Sequence, residues 1–203
     1  MTSRYHPARQ SGPSRRWLFL LLLVTAVVSV AFSRSGVSQQ KSMPSGEMTP
    51  RGQREVSDVT YGDWKKLCFK PGGAQQLCRT SISGTFVTGQ LAIRLDIIER
   101  GAEGASRVQV FAPVGMYLQN SVKLAIDQGK TYRVPYTWCL TNACIAAKVA
   151  DLRMVQELDS GQTLRLEFVD SSLLSLTTSL PIARFASVRK GAPAHTFEQD
   201  IDE

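Results

Sequence analysis

Four cysteines, Cys68, Cys78, Cys139 and Cys144, are the side chains of this chain best suited to covalent or metal chemistry. Their spacings are C-x9-C and C-x4-C. A zinc knuckle is usually built on C-x2-C, and a thiol–disulfide catalyst carries C-x-x-C at a helix N-terminus. Neither spacing occurs. Cys68 and Cys78 flank FKPGGAQQL, whose PGG offers a chain reversal, and Cys139 and Cys144 flank LTNA, a loop of hairpin size. Cysteines opposed across a hairpin at a non-hydrogen-bonded pair have Cα atoms about 5 Å apart, within bridging range. The expectation is two staples, Cys68–Cys78 and Cys139–Cys144, worth about 2.7 and about 2.2 kcal/mol on a loop-closure model. Staples require an oxidising compartment, so the reading depends on export.

Other chemistry is sparse. The chain has two histidines, His6 and His195, both in terminal segments, which leaves no Ser-His-Asp or Cys-His set for the middle of the sequence. G-x-S-x-G, HExxH, P-loop and G-x-G-x-x-G motifs are absent from it. Carboxylates such as Asp63, Asp96, Asp127 and Glu167 are scattered and are expected to be solvated or to sit in turns, Asp127 in IDQG above all. No catalytic residue, metal or cofactor is expected. Aromatic rings leave one alternative open. Tyr117, Tyr132, Tyr136 and Trp138 crowd one region and could face a sugar or peptidoglycan ligand. Alternation in YRVPY places Tyr132 and Tyr136 on the face of Val134, in the core rather than on a platform. Trp64 and Trp138 each precede a cysteine closely and are expected to pack in the core beside the bridges.

Export is written at the N-terminus. An uncharged run from Trp17 to Ser33 is bracketed by Arg15/Arg16 and Arg34. As a helix it would cover about 25 Å, between a signal-peptide core and a bilayer span. Small residues at Ser29, Ala31 and Ser33 suit signal peptidase, while the Leu/Val-rich run suits a retained anchor. Residues 1–33 therefore form a basic segment plus signal peptide or transmembrane anchor. Either one delivers the rest of the chain to the periplasmic face of a membrane, or beyond it if cleaved. The overall charge is +7, but residues 1–57 hold eight basic residues against Glu47 and Glu55. That segment carries +6 and leaves +1 for residues 58–203. No basic stripe remains for a phosphate backbone, so nucleic acid is excluded as a partner.

Residues 34–57 are rich in Ser, Gln, Gly, Pro and charge, and are expected to be a flexible linker. Residues 191–203 look like a disordered acidic tail. Between them, residues 58–190 alternate with period two: Leu91, Ile93, Leu95 and Ile97 share one face. VQV, VKLAI, YRVPY and TLRLEF repeat the pattern. PGG, GAEG, DQG and DSG separate these runs. Short strands without long helices between them predict an all-β fold of antiparallel sheets, a sandwich or a barrel. ADLRMVQEL breaks the pattern, with Leu152, Val155 and Leu158 at the spacing of a short helix.

Taken in order, GDWKKLC, QLCRT, APVGMYLQNSVKLAID, PYTWCLTNACIA and TSLPIARFASV resemble the invasion associated locus B family of bacterial envelope proteins. The resemblance spans residues 58–190. It departs at Arg184, where the last strand usually has Gly, and at Asn120, where a Gly often precedes the valine. The resemblance implies an immunoglobulin-like β-sandwich exported to the periplasm or outer envelope. It also implies a link to host-cell entry through the family's founding member, and no catalytic residues. The implied partner is an envelope or host protein, with the membrane engaged through the apolar run.

Overall fold

The computed structural model describes residues 46–101 and 105–199. The expectations for residues 1–33, for the first part of the linker (34–45) and for residues 200–203 lie outside them. Among the described residues thirteen strands and two short helices follow one another. The strands are β1 (Gly52–Glu55), β2 (Val59–Tyr61), β3 (Lys65–Lys70), β4 (Leu77–Phe86), β5 (Leu91–Arg100), β6 (Ser106–Ala112) and β7 (Val122–Ile126). Then come β8 (Thr131–Val134), β9 (Tyr136–Cys139), β10 (Cys144–Ala150), helix α1 (Leu152–Ser160), β11 (Thr163–Val169), β12 (Leu174–Pro181), helix α2 (Phe185–Lys190) and β13 (His195–Glu198). One sheet has the order β1-β12-β11-β7-β8, and the other β13-β3-β4-β5-β6-β10-β9, with β2 also paired to β4.

The two sheets share one core, as the alternation predicts. Ile82, Ile93, Leu95, Ile97, Val108 and Val110 come from the larger sheet, and Val122, Leu124, Leu164, Leu166, Phe168 and Leu180 from the smaller. The all-β sandwich expectation is met. Its strand counts of five and eight, and the unbroken antiparallel meander β3–β6, are not the seven-stranded immunoglobulin constant arrangement. Leu91 departs from its expected face because a bulge opposite Gly84/Thr85 shifts the register and leaves it exposed. Helix α1 forms where its spacing predicts. Asp151 caps it, the carboxylate accepting from the Met154 amide at 2.8 Å, and Met154, Val155 and Leu158 are buried while Leu152 faces out.

Both polar flanks are corrected. Within the expected linker, β1 pairs in parallel with β12 and β2 pairs with β4 beyond it. Within the expected tail, β13 pairs in parallel with β3. Composition reports burial, and these strands bury little. What holds them is backbone hydrogen bonding to an edge that would otherwise be open. YRVPY, expected as one strand, is two. Pro135 lacks an amide for a ladder, and the chain passes there from the small sheet (β8) to the large one (β9).

The motifs at the two ends of the domain meet. Trp64 donates its indole N–H to the Pro181 carbonyl at 2.9 Å and packs on Phe185 with ring centroids 4.9 Å apart. Arg184 precedes α2 with φ −94°, a right-handed conformation that needs no glycine. Asn120 is buried and clamps the chain entering the domain. Its side-chain carbonyl accepts from the Met48 amide at 2.8 Å, and its NH2 donates to the Met48 carbonyl at 2.9 Å. At neither departure does the backbone need glycine's freedom, and at Asn120 the side chain supplies the clamp.

Candidate functional site

The cysteines are staples. Cys68 is bonded to Cys78 and Cys139 to Cys144, each pair directly opposed in the ladder with Cα atoms 4.0 and 3.9 Å apart. No cysteine is free. Among the described residues no group of three His, Cys, Asp or Glu side chains could hold a metal ion. His195 stands exposed on β13 with its ring against Phe197.

The four carboxylates singled out in the sequence have separate partners. Asp63 and Arg184 meet at 3.7 Å in open solvent, and Glu167 pairs with Lys123 at 2.8 Å. Asp127, at φ +48°, accepts the Thr163 amide at 2.9 Å and is the turn residue expected. Asp96 is not the solvated residue expected: only 1% of it is exposed. Burial pushes its carboxyl upward, opposed by Arg94 and Arg79, and the Arg94 Nε lies 3.1 Å from its Oδ1.

The tyrosines do not make a platform. Tyr132 is buried in the small sheet and donates to Glu157 on α1 at 2.9 Å. Burial and that carboxylate push its hydroxyl up to about 12. Tyr136 belongs to the other sheet. Its hydroxyl is buried, has no hydrogen-bond partner and is pushed up by burial. Tyr117 is half-buried in the turn before Asn120. Trp138, expected in the core, is 49% exposed, because it points to the far side of β9. A hollow of about 320 Å³ does open where the sheet ends part, on a floor that includes Ile93, Met116 and Phe168. Its rim carboxylates, Glu55 and Asp58, face solvent.

A larger feature lies on the outer face of the eight-stranded sheet. Residues paired across a ladder point to one side, so the registers define rows. One row runs Leu67–Arg79–Ile98–Arg107–Val149 over β3, β4, β5, β6 and β10. Beside it runs Phe197–Phe69–Leu77–Arg100 over β13, β3, β4 and β5. Beyond them lie Lys65–Ser81–Asp96–Gln109–Ala147 and Ser83–Arg94–Phe111–Ile145–Trp138. In the first two rows three adjoining hollows meet at Leu77, and Phe69, Ile98 and Arg100 each line two of them. Phe69, Phe197 and Val149 are 38%, 52% and 59% exposed, an apolar surface that no described part of this chain covers. In the last row the Arg94 guanidinium lies 3.7 Å from the Phe111 ring centroid while its Nε reaches Asp96. Contiguous exposed apolar surface beside charged side chains is the kind of feature that marks interaction sites in proteins.

Sequence reasoning missed this face because it assigned one side of each strand to the core and left the other as solvent. A signal was present. LCRT, IIER and SRVQV put Leu77, Arg79, Ile98, Arg100 and Arg107 at the outward positions, where apolar and basic types mix. Arg189 was missed as well. It donates to both Asp159 oxygens at 2.9 and 2.6 Å and to Glu99 at 2.7 Å, joining α2 to α1 and to β5. Lys66 completes the joint, donating to the Arg189 and Gly191 carbonyls just before β13.

Among known proteins, no curated sequence matches. The crystal structure of invasion associated protein B from Bartonella henselae matches this fold with a TM-score of 0.57 and 21% identity, over 64% of this chain and 90% of that one. At that identity the likeness bears on the fold alone. The model of the invasion associated locus B (IalB) protein family matches residues 64–193, from the Trp64 that opens the stapled core to the segment just before β13. By that match the chain belongs to the IalB family.

Proposed function

We propose that this chain is an exported, disulfide-stapled module of the bacterial envelope that performs no catalytic step and works through protein contacts. The observation that carries the proposal is the outer face of the eight-stranded sheet, where exposed Phe69, Phe197 and Val149 adjoin the hollows around Leu77 and Ile98. Apolar area left in water is unfavourable by about 25 cal/mol per Å², so an uncovered patch of this kind is characteristic of a contact surface. Two bridges support an oxidising compartment, and Trp17–Ser33 supplies the route to it as a signal peptide or single-pass anchor. The family's name and that of the Bartonella protein point to the invasion of host cells as the setting.

Photo-cross-linking in the native envelope tests the proposal. A photoreactive phenylalanine analogue at Val149, on the outer face of the large sheet, should yield a discrete protein adduct. The same group at the exposed Arg165, on the outer face of the small sheet, should yield none. Adducts at Arg165 alone, or at neither position, would overturn it.

A further inference from the structure

We infer that this face takes an acidic, apolar polypeptide segment, with leucine- or valine-type side chains seated on Leu77, Ile98 and Val149 and carboxylates reaching Arg79, Arg100 and Arg107. The inference rests on the face being a protein-contact surface and adds the chemistry of what it contacts.

Charge is the first argument. The four rows carry Lys65, Arg79, Arg94, Arg100 and Arg107 against the single carboxylate Asp96, although residues 58–203 as a whole carry only +1. Arg94 is engaged by Asp96 and Phe111. Among the described residues Arg79, Arg100 and Arg107 form no ion pair, as Arg51, Arg54 and Arg165 also form none, while Arg94, Arg133, Arg153, Arg184 and Arg189 do. Arg79 goes further: its Nε is buried with no hydrogen-bond partner. A half-buried guanidinium with an idle donor gains most from a carboxylate that arrives with the ligand.

Spacing is the second argument. In the row Leu67–Arg79–Ile98–Arg107–Val149, apolar and basic side chains alternate strand by strand. Neighbouring strands lie about 4.8 Å apart, which puts Arg79 and Arg107 roughly 10 Å apart with Ile98 between them. Side chains fixed at intervals along a backbone can match that alternation, and a fluid lipid surface has no such interval. A second copy of this chain fits poorly, since face-to-face docking would set arginine rows against each other.

Peptide binding to the oxidised full chain in neutral phosphatidylcholine nanodiscs tests this. The probes are a short fluorescent peptide repeating Leu-Leu-Glu-Glu, which sets leucine and glutamate alternately along each face of an extended chain, its glutamine counterpart, and phosphatidylglycerol vesicles. The glutamate peptide should bind roughly tenfold more tightly than the glutamine peptide, and added salt should narrow the difference. Arg100→Gln with Arg107→Gln, which leaves Asp96 and its neighbours untouched, should weaken the glutamate peptide by roughly tenfold. Arg79→Gln should add to that loss. Equal binding of the two peptides, binding indifferent to the arginines, no peptide binding, or binding of phosphatidylglycerol vesicles alone would each overturn the inference. The Val149 cross-linker separates the two levels. A protein adduct that survives Arg100→Gln/Arg107→Gln keeps the contact surface and sinks its acidic ligand, while no adduct sinks both.

Discussion

Arg189→Met is the substitution that most directly tests how the end of this domain is held. Arg189 makes a bidentate pair with Asp159 and a further bond to Glu99, and the three side chains are 17%, 14% and 20% exposed. Removing one partner of a fully buried pair costs about 3–5 kcal/mol, while an exposed pair is worth about 1 kcal/mol or less. Lys190 remains 3.0 Å from Asp159 in the variant and would keep part of the compensation. The expected loss is about 2 kcal/mol, a urea-midpoint shift of roughly 1 M for a slope near 2 kcal/mol/M. Trp64, buried against Phe185 at the start of α2, reports the transition by fluorescence. The pH dependence adds a signature. Burial raises the Asp159 carboxyl, but its bonds to Arg189 and Lys190 hold it below the ordinary aspartate range. A depressed carboxylate contributes stability that is present above its unfolded value and lost as pH falls through its folded value, so parent and variant should converge below about pH 4. In a double-mutant cycle with Asp159→Asn the coupling should reach about 1 kcal/mol or more. A midpoint shift under about 0.2 M, or additive effects in the cycle, would refute the reasoning.

Three other outcomes follow from the same structure. Asn120→Gly should cost about 2–3 kcal/mol, because both bonds to Met48 are lost and glycine adds backbone entropy, and it should expose the 46–51 segment to limited proteolysis. Unchanged urea midpoint and protease resistance would count against the clamp. The raised Tyr132 hydroxyl gives an alkaline limb. Stability is intact below the ordinary tyrosine value of about 10 and falls as pH rises through about 12, and Tyr132→Phe should flatten that limb in urea titrations. Replacing Cys68 and Cys78 by serine should cost more than replacing Cys139 and Cys144, about 2.7 against about 2.2 kcal/mol from loop closure, with equal or reversed costs speaking against the entropic account.

Alternation in the sequence carried the sandwich core because it is a record of burial. Ile93, Leu95 and Ile97, and likewise Leu164, Leu166 and Phe168, lie where period two places them. It could not carry β1 or β13, whose side chains are exposed along most of their length and whose partners lie more than a hundred positions away in the chain. The staples were legible because both are local, closing loops of 10 and 5 positions. Nothing local marks Arg189 or Asn120, whose partners are set by the packing of distant segments. Trp138 and Asp96 were misread for one reason: both sit on the outer face, where the inside-or-outside logic of a half-buried strand has nothing to say about burial among neighbouring side chains.

The open edges of the sheets sharpen the case for the open face. A long flat edge invites pairing with other chains, and proteins blunt it with short strands. Here the edge strands β1, β8, β9 and β13 have four residues each and β2 has three, while β4 and β5 in the interior of the large sheet have ten. Three of those short strands, β1, β2 and β13, lie outside the family match, and β1 and β13 cap β12 and β3 with strands from the two ends of the described chain. One of them, β13, also brings Phe197 alongside Phe69, extending the apolar rows rather than shielding them. A chain that keeps its open edges short while adding apolar side chains to an uncovered face favours association through side chains over strand pairing. If the face takes the acidic segment proposed above, its specificity comes from the arginines. Every apolar side chain attracts any greasy partner, and only a partner with carboxylates at the right interval satisfies Arg79, Arg100 and Arg107 together.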